Sequence, residues 1–354
     1  MNVAQLQQEA IDLLAQLIAL PSFSKEEAET ADLLEAWMLR CGLAPERYLN
    51  NVYAVATNGP GAGPVVLLNS HHDTVKPASG WLSDPFLPKL EAGKLIGLGS
   101  NDAGASVVSM LAAFRYLSSL PELPYQLMIA ITAEEEISGR NGVEALLPRL
   151  PEIDLGIVGE PTQMRLAVAE RGLMVLDVEV QGKTGHAARN EGDNALYKAL
   201  DAIQWFRNYQ FEEISDFLGP VSMNVTQIEA GTQHNVVPDR CKFVVDIRLN
   251  GLYSHEEVLE IINQHISGTV TPRSTRLQPS HISTNHPFVQ HAQQLGFVTF
   301  GSSTMSDQAL MDFTTVKIGP GKSARSHTPE EFVMVEEIEK GVLKYIELLE
   351  GLRF

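Results

Sequence analysis

Three apolar runs in the first half of the chain, "PVVLL" (64–68), "YQLMIAIT" (125–132) and "IDLGIVG" (153–159), carry no polar alternation. A strand with one wet face alternates with period two, so a run that does not alternate is buried on both faces. Two faces need two layers of helices. The segments between the runs supply them: "KEEAETADLLEAWMLRCG", which closes at Gly42, and "ASVVSMLAAFRYLSSL". Strands alternating with helices predict an α/β fold, a mostly parallel sheet sandwiched by helices. The opening "MNVAQLQQEAIDLLAQLIALPS" adds a further helix, with Leu6, Ala10, Leu13, Leu17 and Leu20 on one face and Pro21 at its end. It has no basic start and carries Glu9 and Asp12, so it reads as an amphipathic helix of a cytoplasmic protein rather than a signal peptide.

From about residue 170 the period changes. In "LDVEVQ" and "CKFVVDIRL", apolar Leu176, Val178, Val180, Phe243, Val245 and Ile247 alternate with polar neighbours, as in an antiparallel sheet with one wet face. Helices are expected at "DNALYKALDAIQWFRNYQ", with Leu196, Leu200 and Ile203 as its core face, and at "SHEEVLEIINQHI", opened by a capping box from Ser254 to Glu257. The order β-α-β-β-α fits a small ferredoxin-like α+β domain. The less alternating pattern returns in "FTTVKIGPG". The chain of 354 residues is thus expected to hold a catalytic domain, 1–168 and 284–354, with a lid and dimerisation domain, 169–283, inserted in it.

A net charge of −18 argues against nucleic acid and anionic membranes, both of which call for Lys/Arg stripes. No run has the length of a membrane span. Cys41 and Cys241 are too few for a disulfide framework and form no CxxC pair.

Ligands of open α/β sheets sit beyond the carboxyl ends of the strands. There the sequence places "HHD" (71–73), "AEEE" (133–136) and "GEPT" (159–162), and "GLGSND" (97–102) follows a shorter candidate strand, Lys94–Leu98. Asp73, Asp102, Glu134, Glu135, Glu136 and Glu160 raise one another's pKa if they crowd one rim, and bound cations resolve the conflict. Imidazole and carboxylate without thiolate suit Zn²⁺, Co²⁺ or Mn²⁺, whereas Ca²⁺ favours oxygens alone. In an extended segment residues i and i+2 share a face. His71 and Asp73 then point together, with Asp73 able to orient His71 as a ligand, and His72 turns away to pack or hydrogen-bond.

"SHHDTV", "GLGSND", "TAEEE", "VGEPT", "GKTGHAA", "HNVVPD" and "ARSHTPEE" stand in the order seen in the co-catalytic zinc aminoacylase family, which the chain resembles over nearly its whole length. That family includes acetylornithine deacetylases, succinyl-diaminopimelate desuccinylases, aminoacylases and glutamate carboxypeptidases. The compact length and "VGEPT" look most like the acetylornithine deacetylase branch. The resemblance implies two divalent metals, with His71 and Glu160 on one, Glu136 and His327 on the other, and Asp102 bridging. Glu135 matches the general base, Asp73 the residue behind His71, and His186 a donor that reaches the neighbouring subunit's site, so a homodimer through the lid is implied. A slide of one residue along "EEE" would instead make Glu134 the base. The pattern departs from the family at "AGA" (103–105), where Met-Lys-Gly usually follows the bridging aspartate.

Arg248 and Asn235 fit recognition of a substrate carboxylate, Arg248 through its bidentate fork; a cross-strand ion pair is the structural alternative for it. "GSSTMSDQAL", with Ser303 and Thr304, and "IGPG", with Gly319, are candidate pocket walls, because glycine-rich turns let backbone approach a ligand. The expected activity is hydrolysis of an Nα-acyl amino acid, N-acetylornithine or N-acetylcitrulline in arginine biosynthesis, with Zn²⁺ or Co²⁺. A dipeptidase or desuccinylase is the alternative within the same chemistry, and a non-catalytic metal-binding relative the alternative outside it.

Overall fold

The computed structural model describes residues 1–189 and 191–354. Two compact units emerge: Met1–Val168 with His281–Phe300 and Ser306–Phe354, and Ala169–Ser280 with Gly301–Met305. The return boundary falls a few residues before the expected 283/284. Residues 301–305, among them Ser303 and Thr304, belong to the second unit and not to the catalytic stretch 284–354.

Glu46–Tyr48, Asn51–Val55, Gln126–Thr132, Val65–His71, Leu155–Val158 and Thr315–Lys317 of the first unit, then Leu166–Glu170, whose last two residues count with the second, are successive neighbours in one sheet. Its centre is parallel: Val65–His71 lies between Gln126–Thr132 and Leu155–Val158, and Thr315–Lys317 extends the parallel run. Every residue of Val65–His71 is buried, and each Val or Leu so enclosed contributes roughly 1.5–3 kcal/mol. The helix Ala105–Ser118 is buried along most of its length, Ser106 and Ser109 included, with Val3–Ile18 and Val335–Glu350 packed on it. Register then places the chemistry. Asn69 pairs with Val158 and His71 with Thr132. His71 and Glu160 each lie two residues past one of the Asn69–Val158 partners and so reach the same level.

The expected strand Lys94–Leu98 does not join this sheet. Lys94–Ile96 pairs with Lys89–Glu91 and Phe332–Met334 in a separate three-stranded sheet. Asp102 therefore leaves a small hairpin, where the short exposed strand Lys89–Glu91 offers no two-sided burial, and enters the loop that opens the helix Ala105–Ser118.

The second unit runs Gly172–Gln181, Ala195–Asn208, Ser222–Ala230, Arg240–Leu249, His255–His265, Thr269–Pro272. This is β-α-β-β-α-β, and its four antiparallel strands, numbered within the unit, lie in the order 2-3-1-4, the ferredoxin-like arrangement. Leu176, Val178, Val180, Phe243, Val245 and Ile247 form the dry face. The Ser254–Glu257 capping box is present. The expected face of the first helix holds in part: Leu196 and Ile203 are half-buried against the core beside buried Ala195, Ala199, Ala202 and Phe206, whereas Leu200 is half exposed. Small alanines let this helix sit close to the sheet, a choice that counting large apolar residues misses.

Candidate metal centre

The buried imidazole of His71 stands at the end of its strand. Its Nδ1 lies 3.0 Å from the Asp73 carbonyl oxygen and 3.5 Å from Asp73 Oδ1, which sets the proton on Nδ1 and turns the lone pair of Nε2 outward. Nε2 is buried and has no hydrogen-bond partner. Around it stand Asp102 Oδ1 at 3.4 Å, Glu160 Oε1 at 3.6 Å and Glu135 Oε2 at 3.8 Å. Across the site, His327 Nε2 is 3.0 Å from Glu136 Oε2 and 3.5 Å from Asp102 Oδ2. The two oxygens of one carboxylate, Asp102, thus face two different histidines. Among the described residues, two groups have metal-ligating spacing: His71, Asp102, Glu136 and His71, Glu135, Glu160.

Electrostatics point the same way. Burial works to push the His71 imidazole down, yet Glu135, Asp102, Asp73 and Glu160 hold it well above its ordinary value. Glu136, then Asp102, raise His327 to about 9. Burial pushes the Glu135 carboxyl well up, opposed by His71 and reinforced by Glu160 and Asp307. A pocket of carboxylates that draws protons onto both of its histidines is short of positive charge. An orphaned imidazole nitrogen aimed at three carboxylate oxygens fits a divalent ion of the Zn²⁺ class, which takes nitrogen and oxygen ligands together.

Loops rather than strands deliver the acids, and other carboxylates hold those loops. Asp73 Oδ1 accepts the Glu135 N–H at 3.0 Å, and Oδ2 accepts the Glu136 N–H at 3.2 Å and the Ser24 hydroxyl at 2.6 Å. Asp73 therefore supports both His71 and the acidic turn. The side chain of Glu134 leaves the cluster: it accepts from Asn141 Nδ2 at 2.8 Å, and its own backbone is left-handed, φ 57°. That orientation separates it from Glu135 and Glu136. His72 is buried with Nδ1 2.9 Å from Thr30 Oγ1 and Nε2 2.9 Å from the Asn50 carbonyl, and burial pushes it down to about 4.

Sequence reasoning passed over three buried acids here. Glu27 takes the Asn50 amide at 3.0 Å and the Glu134 N–H at 3.3 Å. Glu331 takes three backbone N–H groups of the Asp102 loop, and burial pushes its carboxyl up to about 7. Asp307 accepts the Thr132 hydroxyl at 2.7 Å, and burial pushes it up to about 6. Each binds backbone N–H groups or a neutral side chain, an amide or a hydroxyl, so no ligand spacing marks it. Acids abutting apolar strand residues, as in "PEEFVM", are the one visible signal.

Gly319 is not an open pocket wall. It is buried beside Glu160, accepting the Thr162 N–H at 3.1 Å and the Met164 N–H at 2.8 Å. A Cβ there would press into Ser106 Oγ and the Glu160 carbonyl, with Glu160 N at 3.0 Å. Gly319→Ala is expected to cost about 1–3 kcal/mol by overpacking and to lower activity further by shifting Glu160, read as a fall in melting temperature with a separate fall in kcat.

The remaining candidates lie in the second unit. His186 is exposed, and its Nδ1 accepts the Ala188 N–H at 3.2 Å, which leaves the neutral ring's proton on Nε2 as a donor. The Ala187 N–H donates to the Asn235 carbonyl at 3.1 Å, so the His186 and Asn235 loops are joined. Arg248 is held by Asp246 two residues before it in the same strand, through Nε at 2.8 Å and Nη2 at 3.1 Å; this is an in-strand pair, not a cross-strand one. Ser303 and Thr304 are exposed.

Residues 67–351 match the family described as peptidase family M20/M25/M40. A succinyl-diaminopimelate desuccinylase of Xylella fastidiosa (strain M12) is 31% identical, over 73% of this chain and 73% of its own. One from Stenotrophomonas maltophilia (strain R551-3) is 28% identical over 97% and 98%. Among solved structures, the aminopeptidase PepT of Bacillus cereus shares the fold with TM-score 0.77 at 21% identity, over 97% of this chain and 98% of that one. The YXEP protein of Bacillus subtilis, described as a dinuclear metal binding peptidase, does so with TM-score 0.77 at 17% identity, over 99% and 100%. The chain belongs to the peptidase family M20/M25/M40 and is a hydrolase of that family.

Proposed function

We propose that this protein hydrolyses the amide bond of an Nα-acyl amino acid at a two-metal centre, Zn²⁺ before Co²⁺. His71 and Glu160 would hold one ion, Glu136 and His327 the other, with Asp102 shared. The observation that carries the reading is the Asp102 carboxylate, one oxygen 3.4 Å from His71 Nε2 and the other 3.5 Å from His327 Nε2. Ions bound there would supply a Lewis acid for the carbonyl and would acidify water. Glu135 would take a proton from the attacking water as its oxygen adds to the carbonyl carbon. It returns the proton to the amide nitrogen as the C–N bond breaks, the double duty of one positioned acid–base. Asp73, bonded to the Glu135 and Glu136 N–H groups, keeps base and ligand in register.

His186 is our candidate donor to the oxyanion, acting in a homodimer on the partner's site. His186→Ala is expected to lower kcat by about 10²–10³-fold with metal content unchanged; an unchanged kcat rejects the role. Arg248 and Asn235 remain candidates for the substrate carboxylate, but Arg248 can serve only by giving up Asp246. Ser303 and Thr304 are exposed enough to join them.

The relatives named desuccinylases favour a succinyl acyl group. The "VGEPT" motif keeps N-acetylornithine or N-acetylcitrulline as the second reading. Amine release from matched N-succinyl and N-acetyl amino acids, with dipeptides alongside, separates them. Preference for succinyl supports the first, preference for acetyl the second, and cleavage of dipeptides alone rejects both.

A further inference from the structure

We infer that Glu331 is a positioning residue for Asp102, an inference that rests on the two-metal reading of the site. The Glu331 side chain is buried, and Oε1 accepts the N–H groups of Asn101 and Asp102, both at 2.9 Å, while Oε2 accepts that of Gly99 at 3.1 Å. Its own carbonyl takes the Gly97 N–H at 3.0 Å. From there Phe332–Met334 pairs with Lys94–Ile96. One residue therefore fastens the loop from Gly97 to Asp102 at four peptide groups. No Lys, Arg or His nitrogen of the described residues forms an ion pair with it.

The same stretch of chain carries His327. Asn101 ties the two loops from the other side: its Nδ2 donates to the Lys322 carbonyl at 3.1 Å and to Ser326 Oγ at 3.2 Å, and its Oδ1 accepts the Lys322 N–H at 2.9 Å. Asp102 and His327 are thus carried on loops locked to each other, and Glu331 is the clasp. A structural clasp needs acceptors but no charge, and a buried carboxylate with no counter-ion is costly even when hydrogen-bonded. A negative charge behind Asp102 would favour cations there, and groups that hold metal ligands from behind typically contribute about 10–100-fold in metal affinity.

The test is metal titration of stripped protein against a chromophoric chelator, with Zn²⁺ and with Co²⁺, on wild type, Glu331→Gln and Glu331→Asp. For Glu331→Gln we expect the weaker of two metal affinities to fall about 10–100-fold, with an altered Co²⁺ absorption spectrum. Glu331→Asp, which keeps the charge, should recover part of the loss. A lowered melting temperature with wild-type affinities and spectrum would mean a structural role only and overturns the inference. If neither variant folds, amide exchange in the wild type decides: slow exchange at Gly99, Asn101 and Asp102 is expected, and exchange as fast as exposed loops contradicts it. Failure of the two-metal reading shows separately, as wild-type protein that takes up fewer than two ions.

Discussion

Replacing Glu135 with alanine is expected to lower kcat by about 10²–10⁴-fold, the usual contribution of a positioned acid–base, while the protein keeps its full complement of metal. The distinction matters because Glu135 Oε2 is 3.8 Å from His71 Nε2 and, with His71 and Glu160, has the spacing of a ligand set. A ligand and a base differ in what their loss removes. Loss of the base leaves Asp102, Glu136, Glu160 and both histidines to hold cations. The Glu135 N–H is bound to Asp73, so truncating the side chain does not release the turn. Metal analysis and single-turnover assays of the same preparation check it. Metal lost in step with activity would make Glu135 a ligand and move the base elsewhere in the acidic turn.

Asp102→Asn is expected to show the opposite pattern: loss of metal and loss of turnover together. The amide offers one neutral oxygen where the carboxylate offered two charged ones, to His71 and His327. Lewis-acid help is worth several kcal/mol, so the fall in kcat/KM is expected to reach about 10³-fold or more at 1.36 kcal/mol per decade. Without metals the variant should be less stable than the stripped wild type. In that state burial works against the Asp102 carboxylate, yet His71 and His327 hold it below its ordinary value, so its negative charge is stabilising there. Melting curves of both stripped proteins, beside metal content, make the check. An Asp102→Asn protein that retains two tightly bound ions would show that Asp102 does not bridge them.

The side chains that the fold gathers around His71 were legible because each follows an element whose period shows in one sequence. Uninterrupted apolar runs mark strands buried on both faces, and polar groups just beyond them must meet at the strand ends. His71, Glu135, Glu136 and Glu160 follow that rule. Asp102 is reached differently, from a three-residue strand in a separate small sheet, where pairing partners rather than period define the element. Glu27, Asp307 and Glu331 escaped because they bind backbone N–H groups or neutral side chains, and such partners are set by tertiary packing alone. Leu200 shows the limit of periodicity in helices: the buried face of Ala195–Asn208 is Ala195, Ala199, Ala202 and Phe206, and the small alanines let the helix approach its sheet with Leu200 left outside. Gly319 was expected as a pocket wall for its conformational freedom; the structure shows Ser106 Oγ and the backbone of Glu160 closest to where a Cβ would stand.

On the two-metal reading, hydrolysis of an acyl amino acid depends on ions held by this cluster. The most direct test strips the protein with chelator, then adds Zn²⁺ or Co²⁺ in steps while following amine release from N-succinyl and N-acetyl amino acids. No release is expected from the stripped protein, and activity should rise with added metal and level off near two ions per chain. Hydrolysis by the metal-free protein, or two ions bound with none of these amides cleaved, would contradict it.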